Sequence, residues 1–433
     1  MIDYKMKLEP NLVKILKGEE GDTKRKILET LVIYGDAFNA KRMVKITHGE
    51  GHLVTSFGTP IITPVYDCFD EIIKAGLKVK DGFTMDPRPL DHDGNVKYSP
   101  LDKLINGTAV FGKQEYYEEK LEKVGLKDKD SFSCTSYLPE CGNTPKKGDI
   151  LSWSESSAVN FANSVLGARC NRNSGMIDVF GSILGYVPEF GYLLDENRKA
   201  NWIVEIKTTK IPEAQLLGSA IGIKVQDGVP YVKGLDKFIG NKLDEKTISY
   251  LKDFGAATAS NGAVGLYHID KVTPEAVELG EKLIKKDAKV YVVDDAELER
   301  VFKSYPIMWK DKNAKPKVCF IGCPHLTYYQ LIDWHNRIKA ELTKKGLNKV
   351  TTEVVLNSAP KVLAHFKKDH PEMYDEYYKM GCKLSSICPL MYTSNPLTHS
   401  KAILTNSNKL RTYSNARYEF DDKVLDLITG GKF

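Results

Sequence analysis

Cysteine is scarce in this chain, eight among 433 residues, far below the density of a small secreted scaffold stapled by disulfides. None of the eight forms a Cys-x-x-Cys pair, which argues against a zinc ribbon. Nine histidines are too few for a histidine-based metal store. Long apolar runs are missing too. Val290-Tyr291-Val292-Val293 is among the longest, whereas a membrane span needs ~20 apolar residues. The first residues, Met1-Ile2-Asp3-Tyr4-Lys5-Met6-Lys7, are charged and lack the apolar centre of a secretory signal. Neither sign of charge dominates: 62 lysines and arginines against 57 acids leave +5, too weak at this length to imply a nucleic-acid or anionic-membrane partner. These absences describe a reduced, cytoplasmic protein whose cysteines are either small buried apolar residues or ligands.

What is present is ordinary globular material, 42% hydrophobic and 27% charged, enough chain for about two or three domains. Short apolar runs alternate with amphipathic stretches. Lys24 to Gly35 reads as a helix stopped by glycine. Trp202–Ile206, Lys289–Val293 and Lys317–Ile321 read as strands. Asp294-Asp295 opens a helix, and a turn at Gly322 to His325 leads to a long helix from Thr327 to Lys344. Strands alternating with helices predict an α/β architecture, multi-domain, with parallel or mixed sheets flanked by helices around a central cleft. Seams near residue 205 and near Lys310 to Lys317 divide it into 1–205, 206–305 and 306–433. Two irregular loops stand out, Gly82 to Pro100 and Pro139 to Gly148.

Trp153 to Arg172, WSESSAVNFANSVLGARCNR, is the most informative stretch. Ser154 is placed to cap a helix starting at Glu155. Val159, Ala162, Val165 and Leu166 form one face, while Ser156, Ser157, Asn160, Asn163 and Ser164 form another. A helix face of short hydroxyls and amides suits either a polar ligand or a polar domain interface, since lysine and glutamate normally face solvent. Cys134, Cys323 in Gly322-Cys323-Pro324-His325, and Cys388 in Ser386-Ile387-Cys388-Pro389 all sit in turns. Three such thiolates can converge on one iron–sulfur cluster and leave an iron open; buried apolar packing is the alternative reading of each. A Cys323–His325 nucleophilic pair is disfavoured, because residues two apart on a turn rarely bring thiol and imidazole together. Gly255 to Ala276 is built of small residues around His268, with Thr273-Pro274 as a helix start, and reads as tight packing. His48 and His52 read as loop residues, and Leu404 to Lys409 as a solvated turn.

Together ESSAVNFANSVLGARCNR, the SCTSY segment, GCPHLT, Cys388 and ASNGAVGLYHIDKVTPEA resemble the aconitase X large subunit, in order over roughly Tyr34 to Tyr413. The resemblance implies Cys134, Cys323 and Cys388 as ligands of an iron–sulfur cluster, either 4Fe-4S with one open iron or 2Fe-2S. It implies catalytic roles for Ser156, Ser157, His268 and His52, and substrate binding by Asn160, Asn163, Arg169 and Arg172. Three departures from the family pattern stand out: Cys170 where threonine is expected, additional thiols at Cys141 and Cys319, and Ser386-Ile387-Cys388 in place of Asp-Thr-Cys. The small swivelling domain that supplies a serine general base has no counterpart here, so a separate small-subunit partner is expected. The implied reaction is loss of water from a small hydroxy acid, with cis-3-hydroxy-L-proline, yielding pyrroline-2-carboxylate, preferred over mevalonate 5-phosphate. A non-catalytic binding or assembly protein on the same fold is the rival from another class.

Overall fold

The computed structural model describes residues 4–91, 94–394, 396–399 and 401–433. The N-terminal region carries little sheet. β1 (Met43–Lys45) pairs antiparallel with β4 (Tyr186–Pro188), and β2 (Gly51–Leu53) pairs parallel with β3 (Phe83–Met85). Helices Asp22–Ala37, Thr63–Lys74, Gln114–Val124 and Gly175–Leu184 pack their apolar stripes around these pairs. The helix expected to stop at Gly35 runs on to Ala37. Gly35 is there for closeness: a Cβ on it would lie 2.5 Å from Met6 Cε and 2.7 Å from Pro188 Cβ.

Two fully parallel sheets follow. The middle sheet has the order β7-β6-β5-β8, from β5 (Ala200–Ile206), β6 (Pro230–Lys233), β7 (His268–Ile269) and β8 (Ile284–Val293). Pairing therefore groups Ala200–Ile206 with the segment that follows it. Helices Ala214–Val225 and Glu245–Asn261 pack together through small residues; a Cβ on Gly218 would meet Phe254 O at 2.3 Å. This is the tight packing expected of the Gly255 region.

The C-terminal sheet has the order β11-β10-β9-β12-β13, from β9 (Val318–Leu326), β10 (Glu353–Ser358), β11 (Cys382–Ser385), β12 (Ile403–Thr405) and β13 (Arg417–Tyr418). Every residue of β9 is buried, as both faces of a helix-covered parallel sheet require. The expected turn at Gly322 to His325 is instead the irregular last part of β9. Gly322 adopts φ +99° and lies where a Cβ would strike Asn357 O at 2.3 Å, and the β9–β10 register shifts at this point. From β9 the chain builds outward through β10 and β11, then crosses back to β12 and β13. The carboxyl ends of β9 and β12 thus flank a topological switch point, where parallel sheets place their ligands.

Candidate active site

The segments ending β9 and β12 meet the start of the Ser156–Phe161 helix and the β2–β3 edge around a cavity of about 420 Å³. Cys134, Cys323 and Cys388 all line it, with Asp86, Glu155, Ser156, Arg172, His325 and Lys409. Cys141, Cys170, Cys319 and Cys382 lie elsewhere, buried, and all eight cysteines are free. Cys319 and Cys382 flank β10 within the C-terminal sheet, while the Cys170 thiol faces Trp153 O at 3.4 Å.

His325 ties the three thiol-bearing segments together. It follows Cys323-Pro324 directly, its backbone N–H donates to Cys134 Sγ at 3.3 Å, and its ring reaches Ser133 Oγ at 3.2 Å and Ile387 O at 3.1 Å. A ring nitrogen facing a carbonyl must carry hydrogen, so Nε2 donates to Ile387 and Nδ1 accepts from Ser133. Burial drives the His325 pKa down to about 4, which keeps this neutral tautomer. Burial also raises Cys388 to about 12, with the charge of Cys323 adding to it, and lifts Cys134 well above the ordinary thiol range.

Ser154 does not cap the following helix as expected; its Oγ accepts from Val54 N at 2.8 Å. Glu155 is the N-cap, its carboxylate accepting from Ala158 N at 2.5 Å and from Ser157 Oγ at 2.8 Å. Ser156 Oγ lies 3.3 Å from the other carboxylate oxygen. Lys409, on the Asn408–Tyr413 helix capped by Ser407, donates to Glu155 at 2.6 Å and approaches Ser157 Oγ at 3.3 Å. The Leu404 to Lys409 segment, expected to be a solvated turn, is therefore strand end, helix cap and a buried cation. Burial alone would raise Glu155, but Lys409 and the helix N–H hold it at about 2. Burial would likewise neutralise Lys409, yet Glu155 and the neighbouring thiols hold its pKa well above the ordinary value.

Beside this pair stands a second carboxyl in a different state. Burial, and then the charge of Glu155, push Asp86 well above the usual carboxylate range. Asp86 Oδ1 and His52 Nε2 are both buried, 3.9 Å apart, and neither has a hydrogen-bond partner among the described residues. His52 is fixed from behind, its Nδ1 2.9 Å from Thr84 Oγ1, which also receives Asn143 Nδ2 at 2.9 Å. Burial lowers His52 to about 4. It is thus a fully buried neutral imidazole, not a loop histidine.

The other expected site residues occupy different surroundings. Asn163 donates to Cys170 O at 2.8 Å and Gly265 O at 2.9 Å, and accepts from Cys170 N at 2.9 Å. Asn160 donates to Val264 O at 2.8 Å, and Ser164 Oγ accepts from Tyr267 N at 2.9 Å. This half of the polar face is the junction with the middle region. Arg169 bonds Leu193 O and Asp195. His268, on β7, is buried with Nε2 2.8 Å from Arg198 O. None of Asn160, Asn163, Arg169 or His268 lines the cavity, and Ser157 and His52 stand behind its wall beside Glu155 and Asp86. Ser156 and Arg172 do line it, Arg172 exposed and in the left-handed region at φ +53°. Lys409 and Asp86 escape sequence reasoning: one lysine among many and one aspartate in a loop rich in them. A signal existed in the run of small polar residues ending in Lys409 just after a strand.

Family models for the first and second domains of aconitase X match residues 5–196 and 200–303. The phosphomevalonate dehydratase large subunit of Thermococcus kodakarensis is 34% identical over 317 residues, 72% of this chain and 72% of that protein. The chain belongs to the aconitase X family. Like those relatives it is the large subunit of a hydro-lyase, which sets aside the non-catalytic alternative. The solved holo-form of aconitase X from Thermococcus kodakaraensis superposes with a TM-score of 0.78 at 27% identity, covering 98% of this chain and 100% of that one. The cis-3-hydroxy-L-proline dehydratase of Hypocrea jecorina is 28% identical over 293 residues, 65% of this chain but 46% of that protein. The comparisons therefore do not specifically favour the hydroxyproline reading. Among the described residues no helix is long and apolar enough to cross a membrane.

Proposed function

We propose that this aconitase X chain dehydrates a phosphorylated hydroxy acid, mevalonate 5-phosphate, with an iron–sulfur cluster on Cys134, Cys323 and Cys388 and a separate small subunit completing the cytoplasmic enzyme. The observation that carries this reading is the gathering of three free thiols, from three distant segments, on one cavity that also holds Lys409 and Arg172. The residues fit such a group. Burial raises the pKa of Cys134 and Cys388, and the charge of Cys323 adds to it; binding iron relieves that by taking up the thiolate charge. The cluster, when bound, supplies a Lewis-acidic iron with an open position for the substrate hydroxyl.

The chain's own residues do the rest. Arg172, a cation at the cavity with no side-chain partner among the described residues, meets the carboxylate or phosphate of the substrate. Ionised Glu155 holds Ser156 at the cavity wall, and Ser157 behind the wall ties Glu155 to Lys409. Asp86, whose carboxyl burial and then the charge of Glu155 push towards the protonated form, is the proton donor beside His52, where a departing hydroxide needs one. A serine of the small subunit takes the Cα proton.

The substrate choice rests on proportion. The phosphomevalonate relative matches as a large subunit over 72% of its length, the hydroxyproline relative over 46%. The test is anaerobic reconstitution with iron and sulfide in the presence of the small subunit, followed by assay of both substrates. Turnover of mevalonate 5-phosphate is expected. Turnover of cis-3-hydroxy-L-proline alone would establish the second reading instead.

A further inference from the structure

Among the buried acids that the mechanism leaves unused, Asp178 stands beside the cavity loop. It lies in the first turn of the Gly175–Leu184 helix and is completely buried. Its carboxylate accepts from Asn173 N at 3.0 Å, Asn173 Nδ2 at 2.9 Å, Ser174 N at 3.3 Å and Ser152 Oγ at 3.1 Å. Three of these four donors belong to the two residues that follow Arg172. On the other side Asn171 is clamped as tightly, donating to Phe190 O at 2.9 Å and accepting from Tyr192 N at 2.7 Å. Arg172 stands between these two anchors with φ +53°, a conformation that a side chain with a Cβ adopts only when its surroundings impose it. The helix start is pressed against the cavity wall as well, since a Cβ on Gly175 would meet Val54 O at 2.3 Å. Burial raises the Asp178 carboxyl to about 7 against the lowering by these donors. Above that pH it is a carboxylate, and one that spends its acceptors on backbone N–H groups of a cavity-lining loop fixes that loop more firmly than a neutral acceptor would.

We propose that Asp178 is a positioning residue that holds Arg172 in its left-handed conformation, so that the guanidinium is presented to the substrate anion. The proposal rests on the reading of Arg172 as the substrate's anion contact. Asp178 touches no substrate. It acts through Asn173 and Ser174, and its effect falls on binding, not on the chemical step.

The experiment has two arms, both on the reconstituted two-subunit enzyme. In the first, amide hydrogen exchange is compared between wild type and Asp178→Asn. Above pH 7, where Asp178 is ionised, exchange at Asn173 and Ser174 should quicken by about tenfold or more, as loss of charge-assisted bonds implies, while Val204 in β5 is unchanged. In the second, Asp178→Asn should raise KM for mevalonate 5-phosphate by about tenfold with kcat within about threefold. Arg172→Ala should do the same, and the double variant should be no worse than Arg172→Ala alone. Ser152→Ala, which removes one donor without disturbing the loop backbone, should show a weaker form of the same pattern if Asp178→Asn does not fold. Unchanged exchange at Asn173 and Ser174, or additive losses in the double variant, overturns the positioning role. Faster exchange with an Arg172→Ala enzyme of normal KM instead overturns the reading of Arg172 as the anion contact.

Discussion

The run from Glu155 to Ser164 serves two buried polar neighbourhoods that differ in kind. Its first turn faces the cavity, which Glu155, Lys409 and Asp86 line with His52 behind Asp86, and where Asp86 Oδ1 and His52 Nε2 have no partner among the described residues. Its later turns face the middle region, where Asn160, Asn163 and Ser164 are neutral and bond mostly to backbone groups. Residues of one chemical type therefore do two jobs. Amides at the junction satisfy backbone groups that cannot reach water, whereas groups at the cavity stay underused because a ligand is to use them. Asn160 Oδ1 is without a partner at the junction as well, so unspent capacity alone does not mark the reactive end; its coincidence with buried charge at a cavity does.

The difference can be broken or sharpened by substitution. The largest effect belongs to the cavity: Cys323→Ser should cut turnover on the order of 10³-fold while far-ultraviolet dichroism keeps the wild-type helix content. Next, Lys409→Met leaves Glu155 buried without its cation, and unfolding in urea should show a loss of about 3–5 kcal/mol. Adding Glu155→Gln to that variant should restore much of it. At the junction, Asn163→Ala strands Cys170 N and two carbonyls, costing about 2–3 kcal/mol, yet kcat and KM should stay within about twofold. A collapse of turnover there, with the fold intact, would erase the division. The smallest effect is a pH signature. The folded-state pKa of Glu155, about 2, lies below its ordinary 4.5, so its contribution is complete above pH 4.5 and is lost as pH falls towards 2. Glu155→Gln should flatten the acid limb of stability against pH in that window.

Much of this was readable in the chain. The α/β alternation, strands over residues 202–206 and 317–321 that overlap the observed β5 and β9, and the three thiols of the cavity follow from hydrophobic period and from a specific family pattern. The Glu155–Lys409 pair did not follow, because its partners lie 254 residues apart and meet only when β12 returns beside β9. The polar helix face was ambiguous for a physical reason: serine and asparagine suit a ligand and a buried backbone carbonyl equally well, and only three-dimensional neighbours tell them apart. Gly35 and Gly322 misled because a glycine signals either a stop or a close approach, and here both mark close approach.

The central claim is that the three thiols on the cavity, and not the other buried cysteines, hold iron. The direct measurement is iron per chain after anaerobic reconstitution of single serine variants. Cys134→Ser, Cys323→Ser and Cys388→Ser should each lose iron, while Cys170→Ser and Cys319→Ser retain it. Full iron in any of the first three, or its loss from Cys170→Ser or Cys319→Ser with the fold intact, would contradict the account.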